Sequence, residues 1–221
     1  MTEPKLSEAK KRSRGRPSNF DRATAVHQAM KLFWESGYEG TSFESLVGAM
    51  GISPSSFYNS FGSKEQLYAE ATNAYLQASG EWFIGILSDL TDTRTAFKRL
   101  MEATATEFTR DDLPSGCMIS VACVHVPPAL HSVREMMTEH RAMARQMMKA
   151  RIQRGIEEGD VPADTDAEAL AGYFNVLARG LAVYARDGGT SEQLLEIVQV
   201  AMQAFPAEPT TESEPLSQGL R

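Results

Sequence analysis

The stretch from residue 41 to residue 67 constrains the fold most, because it contains start and stop signals for three consecutive helices. Thr41 and Glu44 have the spacing of a capping box, in which a hydroxyl and a carboxylate satisfy free N–H groups at a helix start. Apolar residues then recur on one helical face, and Gly51 is suited to end the helix. These apolar residues are Phe43, Leu46, Val47 and Met50.

A second helix follows after only two residues. Ser53 can cap it, and Pro54 suits its first turn because that position needs no N–H donor. Phe57 and Phe61 share one face, while the other face carries small polar residues. Helices joined this tightly cross steeply, which predicts a DNA-binding helix-turn-helix; a helical hairpin of some other all-α protein is the alternative. A third helix then begins at a second capping box, formed by Ser63 and Gln66.

Residues 51 to 67, GISPSSFYNSFGSKEQL, closely resemble the signature of the TetR/AcrR family of bacterial transcription regulators. In that family an N-terminal helix packs on the pair, and Asp21 and Gly37 have the positions expected for its cap and its end. The specific resemblance covers roughly residues 20 to 68. It implies a ligand-responsive homodimeric repressor that a small molecule releases from a palindromic operator. Family members usually carry His or Tyr where this chain has Ser60.

Two groups of side chains are candidates for contacts with double-stranded DNA. Helix N-termini expose N–H donors and carry partial positive charge, which suits phosphates. Asparagine can bond adenine bidentately, and serine can serve several bases. The candidates for phosphates are Thr41, Ser42, Tyr58 and Lys64, and the candidates for base edges are Ser55, Ser56 and Asn59, with Ser60 beside them. For Tyr58, packing against the neighbouring helix is the alternative.

The N-terminal arm differs in charge from the rest of the chain. Residues 1 to 24 contain seven basic and three acidic side chains, a balance of +4, whereas the whole chain carries −7. A basic arm beside a helix-turn-helix places positive potential near phosphates. Arg14 and Arg16 lie in the sequence RGRP, which resembles the core of an AT-hook, so we expect them to enter a narrow minor groove. A solvated, disordered terminus is the alternative.

The remaining chain predicts a second, all-helical domain. Breaks at Gly, Pro and Asp divide it into helices near residues 64 to 88, 94 to 109, 116 to 125, 129 to 158, 166 to 187 and 191 to 204. Thr165 with Glu168, and Thr190 with Gln193, predict two more capping boxes. The predicted organisation is an arm over residues 1–20, the DNA-binding domain over 21–68, the effector and dimerisation domain over 69–205, and a disordered tail over 206–221.

The last two predicted helices carry more apolar residues than a single core face needs. A four-helix dimer interface fits this excess, and the family generally dimerises there. Two-fold pairing also doubles the DNA contacts and demands a palindromic site. Simple completion of the monomer core is the alternative. The candidates for the interface are Leu170, Leu177, Leu181, Leu194 and Val198.

Large apolar side chains between these helices predict a regulatory cavity. The resemblance implies that a small, often apolar or aromatic molecule binds there and shifts the two recognition helices out of register. A plain hydrophobic core is the alternative, because a helical apolar stripe needs no ligand. The candidate ligand contacts are Trp82, Phe83, Ile86, Phe97, Met101, Phe108, Met118, Met137 and Phe174.

Cys117, Cys123 and His125 suggest an alternative trigger, namely metal binding or thiol oxidation. The cysteines are not spaced as CxxC, and residues six apart lie on different faces of a helix, so buried structural cysteines are the default. No acidic partner or phosphate-binding glycine loop accompanies them, so we predict no catalysis, no metal site and no cofactor. With two cysteines, a charged N-terminus and no long apolar run, we expect a cytoplasmic protein without membrane contact.

Overall fold

A computed structural model describes residues 21–89, 91–122, 127 and 130–207. Within these ranges the protein is all-α, as predicted, with no strand and no helix long and apolar enough to cross a membrane. The α-helices are α1 (Arg22–Gly40), α2 (Phe43–Met50), α3 (Pro54–Phe61), α4 (Lys64–Ser88), α5 (Thr93–Phe108), α6 (His131–Glu158), α7 (Ala167–Arg186) and α8 (Ser191–Ala201). A 3₁₀ turn, Met202–Ala204, follows α8.

Several helix starts are where the sequence predicts them, because polar side chains satisfy the free N–H groups of the first turn. Asp21 caps α1, Ser53 caps α3 and Ser63 caps α4. The capping box of α8 is complete, since the Thr190 hydroxyl accepts from the Gln193 N–H and the Gln193 side chain accepts from the Thr190 N–H.

Two predicted capping boxes are wrong by one residue. The N-cap of α2 is Ser42, whose hydroxyl accepts from the Ser45 N–H at 3.0 Å, and not Thr41. The N-cap of α7 is Asp166, which accepts from two N–H groups, and not Thr165. In both cases the next residue has an equally suitable side chain and takes the cap position, and the sequence spacing alone does not separate the two neighbours.

The helix predicted over residues 116 to 125 is instead a π-helical turn, Met118–Ala122, as far as the structure describes it. Gly116 precedes the turn with a positive φ of 79°, and a Cβ at this residue would lie 2.4 Å from the Ala182 carbonyl oxygen of α7. This close backbone approach requires glycine and fixes the turn against α7.

Buried side chains form two hydrophobic cores. The first joins α1 to α3 with the N-terminal half of α4, and the π-helical turn and the start of α6 also contribute to it. In this core Phe33 packs edge-on against Tyr68 at 4.9 Å between ring centroids, and Trp34 does the same against Tyr75 at 4.8 Å. Met118 and Met137 are fully buried here, so the DNA-binding helices pack directly on elements from later in the chain.

The second core lies between α5, α7, α8 and the C-terminal half of α6. Phe97 and Phe174 meet at its centre, with ring centroids 5.0 Å apart. At one end, the buried Arg151 of α6 donates to the Thr93 hydroxyl and to the Thr91 carbonyl. Asp160 accepts from the Thr93 N–H at 2.8 Å and from its hydroxyl at 2.7 Å. These bonds tie α5 to the end of α6.

Candidate DNA-binding and effector sites

The turn between α2 and α3 is as tight as the sequence predicts. Gly51 ends α2 in the left-handed region, with φ 65° and ψ 31°, and its N–H donates to the Gly48 carbonyl at 3.2 Å. Ser53 starts α3 only two residues later. Leu46 of α2 and Phe57 of α3 are fully buried against each other's helices and α1, which holds α3 at a fixed angle on the body of the domain.

The outer face of α3 is polar and accessible. Ser55, Ser56 and Asn59 are exposed, and Ser60 is half-buried. The Ser53 hydroxyl lies 2.9 Å from that of Ser55 and 3.0 Å from that of Ser56, so these small groups are held together at the start of α3. A narrow polar helix of this kind can enter a major groove and place donors and acceptors at base edges.

Tyr58 and Lys64 stand beside this face, each on an aromatic support. The Tyr58 side chain is 57 % exposed, and its ring stacks on Phe43 at 5.3 Å, which leaves the hydroxyl free to reach a phosphate. The Lys64 ammonium lies 4.3 Å from the centroid of the Tyr38 ring. Both side chains therefore have restricted positions, which reduces the entropy lost on contact with a ligand.

Ser42 and Thr41 have different surroundings, although both are predicted phosphate contacts. Ser42 is exposed at the N-terminus of α2, where helix N–H groups favour anions. Thr41 is only 2 % exposed, and its hydroxyl donates to the Gly37 carbonyl at 2.7 Å. The Thr41 side chain therefore faces the protein and joins α2 to the end of α1, which makes it a structural residue.

Arg22 is a residue of the DNA-binding unit whose role the sequence did not indicate. Its guanidinium donates to the Ser60 carbonyl at 2.5 Å, pairs with Glu70 at 2.7 Å and lies 4.6 Å from the Phe61 ring centroid. It thereby fixes the end of α3 to α1 and α4. In the sequence Arg22 is one basic residue of a basic segment, and no local pattern distinguishes it. The predicted minor-groove residues Arg14 and Arg16 lie outside the described residues.

A cavity of about 270 Å³ lies between α4, α5, α6 and α7, with the π-helical turn at one side. Its wall is mostly apolar. The aromatic and aliphatic lining residues include Trp82, Phe83, Ile84, Phe108, Ile119, Met143, Met147 and Met148, and the polar ones include Ser79, Thr104, Cys117, Ser120, His140, Arg141, Asn175 and Arg179.

The structure separates the predicted ligand contacts into wall and core. Trp82, Phe83 and Phe108 line the cavity. The others are placed elsewhere, because helical periodicity identifies the buried face of a helix but not which part of that face borders a void. Ile86, Phe97, Met101 and Phe174 pack in the second core, and Met118 and Met137 pack in the first. These six predicted ligand contacts therefore pack in the two cores and do not line this cavity.

Cys117 and Tyr75 form a polar pair in the cavity wall. The Tyr75 hydroxyl donates to the Cys117 Sγ at 3.2 Å. Burial raises the pKa of Tyr75 well above its usual range, and the adjacent Cys117 raises it further, so the hydroxyl remains a donor. Cys123 and His125, the other members of the suggested sensor, lie outside the described residues. Among residues that are described, no three His, Cys, Asp or Glu side chains cluster in a way that could hold a metal ion.

The exposed apolar surface of α7 and α8 differs from the predicted interface. Leu181, Leu194 and Val198 are at most 2 % exposed within the protomer, so they cannot reach a partner. Leu170 and Leu177 are partly buried against the same core. Since three of the predicted residues face the core, the exposed apolar residues of α7 and α8 are the candidate interface instead; they are Tyr173, Val176, Val183, Tyr184 and Val200.

Two family descriptions match this architecture. "Bacterial regulatory proteins, tetR family" matches residues 25–71, which contain most of α1, all of α2 and α3, and the first turns of α4. "Tetracyclin repressor-like, C-terminal domain" matches residues 95–201, from α5 to the end of α8. The chain belongs to the TetR family. TetR-family proteins are DNA-binding transcriptional regulators and not enzymes, which agrees with the sequence prediction.

Individual TetR-family relatives support the same conclusion. The regulator CifR, solved as a mutant with three cysteine substitutions and in complex with 26-base-pair operator DNA, is 38 % identical, with a TM-score of 0.82 over 87 % of this chain and 100 % of CifR. The transcriptional repressor ComR of Escherichia coli is 29 % identical over 89 % of this chain and 94 % of ComR. The E. coli repressor BdcR is 26 % identical over 89 % of this chain and 95 % of BdcR.

Proposed function

We propose that this protein is a homodimeric, ligand-responsive repressor that a small molecule releases from a palindromic operator. The observation that carries this proposal is the exposed polar face of α3, held at a fixed angle by the buried Phe57 and Phe61, in a chain similar to a regulator solved on operator DNA. Ser55, Ser56 and Asn59 would read base edges. Ser42, Tyr58, Lys64 and the arm residues Arg14 and Arg16 would contact the DNA backbone or minor groove.

A dimer is supported by the exposed aliphatic side chains of α7 and α8. Val176 is 68 % exposed and Val200 is 67 % exposed, and both lie on the outer face of the second core. Exposed aliphatic side chains on two helices that pack together are suited to an interaction site. A two-fold dimer would present two copies of α3, and the spacing between them would set the spacing of operator half-sites.

The ligand response is supported by the cavity and by its position. Cys117, Ile119 and Ser120 line the cavity, while Met118, within the same turn, is buried in the core of the DNA-binding helices. A ligand that prefers one packing of this turn would shift the equilibrium between DNA-binding and released conformations, and DNA would weaken ligand binding by the same factor.

Selection of binding sites from random duplex DNA, using the full-length protein, tests the DNA-binding part of the proposal. We expect a palindrome with A·T-rich flanks. The Asn59→Ala variant should lose preference at one position in each half-site, and Gln77→Ala, which is exposed on α4 away from α3, should select the same palindrome as the wild type. A folded protein that enriches no sequence would contradict sequence-specific repression.

Thiol sensing is a second candidate function, because Cys117 lines the cavity and accepts a hydrogen bond from Tyr75. A thiol in this position could be modified by an oxidant or electrophile that enters the cavity. Replacing Cys117 and Cys123 by Ser, singly and together, separates the two candidates. Loss of induction in Cys117→Ser would support thiol sensing, and unchanged induction in the double variant would make both cysteines structural.

A further inference from the structure

The polar part of the cavity wall has a single sign of charge. Arg141 of α6 and Arg179 of α7 both line the cavity, and His140 lies beside them. No Asp or Glu is among the described residues that line it. The chain as a whole has a net charge of −7. A cavity wall with basic but no acidic side chains among its described residues therefore differs from the overall composition.

Two other basic residues of α6 are paired with a carboxylate, unlike the cavity arginines. One turn beyond Arg141, Arg145 forms an ion pair with Glu168, and Lys149 pairs with the same carboxylate at 2.9 Å. Arg141, in contrast, donates only to the Thr138 hydroxyl, at 3.2 Å, and Arg179 has neither a hydrogen bond nor an ion pair within the described part of the chain. Two guanidinium groups at the cavity are therefore available to a ligand.

The two arginines carry like charges, and no carboxylate is among the described residues that line the cavity. Both guanidinium groups line the same cavity, where burial lowers the pKa of Arg179 and the like charge of Arg141 lowers it further. A desolvated charge without a partner costs free energy, and an anion bound between the two groups would remove most of that cost. Guanidinium groups bind carboxylates and phosphates through paired, charge-assisted hydrogen bonds.

The rest of the wall selects for an apolar body. Trp82, Phe83 and Phe108 supply aromatic surface, and Met143 and Met147 supply side chains that adapt to irregular shapes. The volume of about 270 Å³ is slightly below the range of roughly 300–1,000 Å³ that is typical for drug-sized ligands. Both features favour a compact molecule.

We propose that the effector is a compact organic anion, with an aromatic or aliphatic body against Trp82, Phe83 and Phe108 and a carboxylate held by Arg141 and Arg179. This inference depends on the proposed function, since it names the ligand class of the effector cavity. It also explains why the cavity has both an apolar wall and two arginines that form no ion pair with any described residue. Asn175, which also lines the cavity, can donate to the same carboxylate.

Matched acids and amides test the ligand class on the wild-type protein, without any substitution. Calorimetry on the DNA-free dimer would compare phenylacetate with phenylacetamide and octanoate with octanamide. We expect the acid of at least one pair to bind about ten- to a hundredfold more tightly, the effect of one or two charge-assisted hydrogen bonds. Acetate and inorganic phosphate carry the charge without the apolar body, and we expect them to bind far more weakly than that acid.

Substitutions then test the two arginines. Arg179→Gln and Arg141→Gln should each reduce the preference for the acid over its amide by about tenfold. Arg145→Gln is the matched control, because it removes the same charge one turn away on α6 from a residue that does not line the cavity. Thermal melts of each variant, and the affinity for the amide, verify that the cavity is still formed.

The outcomes separate this inference from the proposed function. Acids and amides that bind equally, acetate or phosphate that binds as tightly as the larger acids, or an absence of binding by every acid would each overturn the organic anion. An acid that binds through Arg179 but leaves the operator complex intact would support the ligand class and contradict ligand-induced release. Release of the operator by a neutral compound would support ligand response and overturn the anion.

Discussion

Gly155 is the residue that determines how closely α6 approaches the start of α5. A Cβ at this position would lie 2.1 Å from the Thr93 hydroxyl, 2.4 Å from an Asp160 carboxylate oxygen and 2.8 Å from Val161. Thr93 donates to Asp160 and its hydroxyl accepts from Arg151, so this contact cannot open without breaking that cluster.

We predict that Gly155→Ala lowers the free energy of unfolding by about 1–3 kcal/mol, because overpacking forces a buried hydrogen-bonded cluster apart. Urea denaturation followed by circular dichroism would measure this change. Gly85→Ala is the control: Gly85 lies in α4 with no neighbour within 4 Å of the added Cβ, so alanine should stabilise that helix by up to about 1 kcal/mol. Equal effects of the two substitutions would contradict the steric argument.

The roles of some residues follow from the local sequence, whereas the roles of others depend on tertiary packing. Ser53, Pro54 and the exposed polar face of α3 follow from capping preference and helical period, both of which are local properties of the sequence. Thr41 and Ser42 are equally good caps, and only the packing of α1 against α2 decides between them. Arg179 has no local signal at all, since its importance comes from the absence of a carboxylate among residues distant in sequence.

Among the elements of the helix-turn-helix unit, the start of α4 carries a lysine that is a candidate for a charged contact with DNA. Lys64 follows the Ser63 cap of α4, and its ammonium rests on the Tyr38 ring beside α3. A cation held at a helix start next to the recognition helix is well placed to neutralise one phosphate.

We predict that Lys64→Gln weakens operator binding and reduces the slope of log K against log salt by about 0.9, the value for one lost phosphate contact. Fluorescence anisotropy over a series of salt concentrations would give the slope. Lys98→Gln, at an exposed position on α5, is the control and should leave it unchanged. A slope unaffected by Lys64→Gln would restrict this residue to packing on Tyr38.

The N-terminal arm is a separate element and makes a separate prediction. Deleting residues 1–17 removes Arg14 and Arg16 with most of the positive charge of the arm. Affinity for an A·T-flanked operator should fall, and the salt slope should decrease by about 0.9 per lost contact. Removal of residues 209–221, which contain two glutamates and one arginine, provides the control at the other terminus. If the arm deletion leaves the slope unchanged, the arm makes no phosphate contact.

The positions of the helices were predictable because capping residues, glycines and prolines mark the helix ends in the sequence. Five of the six helices predicted beyond residue 63 match α-helices within a few residues at each end, and the sixth is a π-helical turn as far as the structure describes it. The boundary between cavity and core was not predictable, since Phe97 and Phe108 lie on the same helix and both look like core residues. Only the packing of α4, α6 and α7 leaves a void beside one and fills the space beside the other.

We expect dimerisation to depend on the apolar residues of α7 and α8 that the protomer leaves exposed. Val176→Asp places a charge at a side chain that is 68 % exposed in the protomer, so it should not disturb the core. We predict that it dissociates the dimer at micromolar concentration and lowers operator affinity by at least about tenfold, because a buried unpaired charge opposes association and each half-site then binds alone. Sedimentation velocity would measure the dissociation.

Ile84→Asp is the matched control for this prediction. Ile84 is an aliphatic residue that is 50 % exposed on α4, where it lines the cavity and is not one of the exposed residues of α7 and α8, so the variant should remain dimeric. A dimeric Val176→Asp protein with unchanged operator affinity would place the interface on another surface. A monomeric wild type that binds a palindrome would contradict the dimer itself.

Under the proposed function, the π-helical turn has a practical consequence for the design of a biosensor from this protein. Ile119 lines the cavity and is also buried against the helices that carry α3, and Met118 is fully enclosed there. A library that randomised this turn to change ligand preference would also change basal expression from the promoter. Diversifying Met143 and Met147 on α6, together with Asn175 and Ala178 on α7, would alter ligand recognition while keeping the reporter's background level intact.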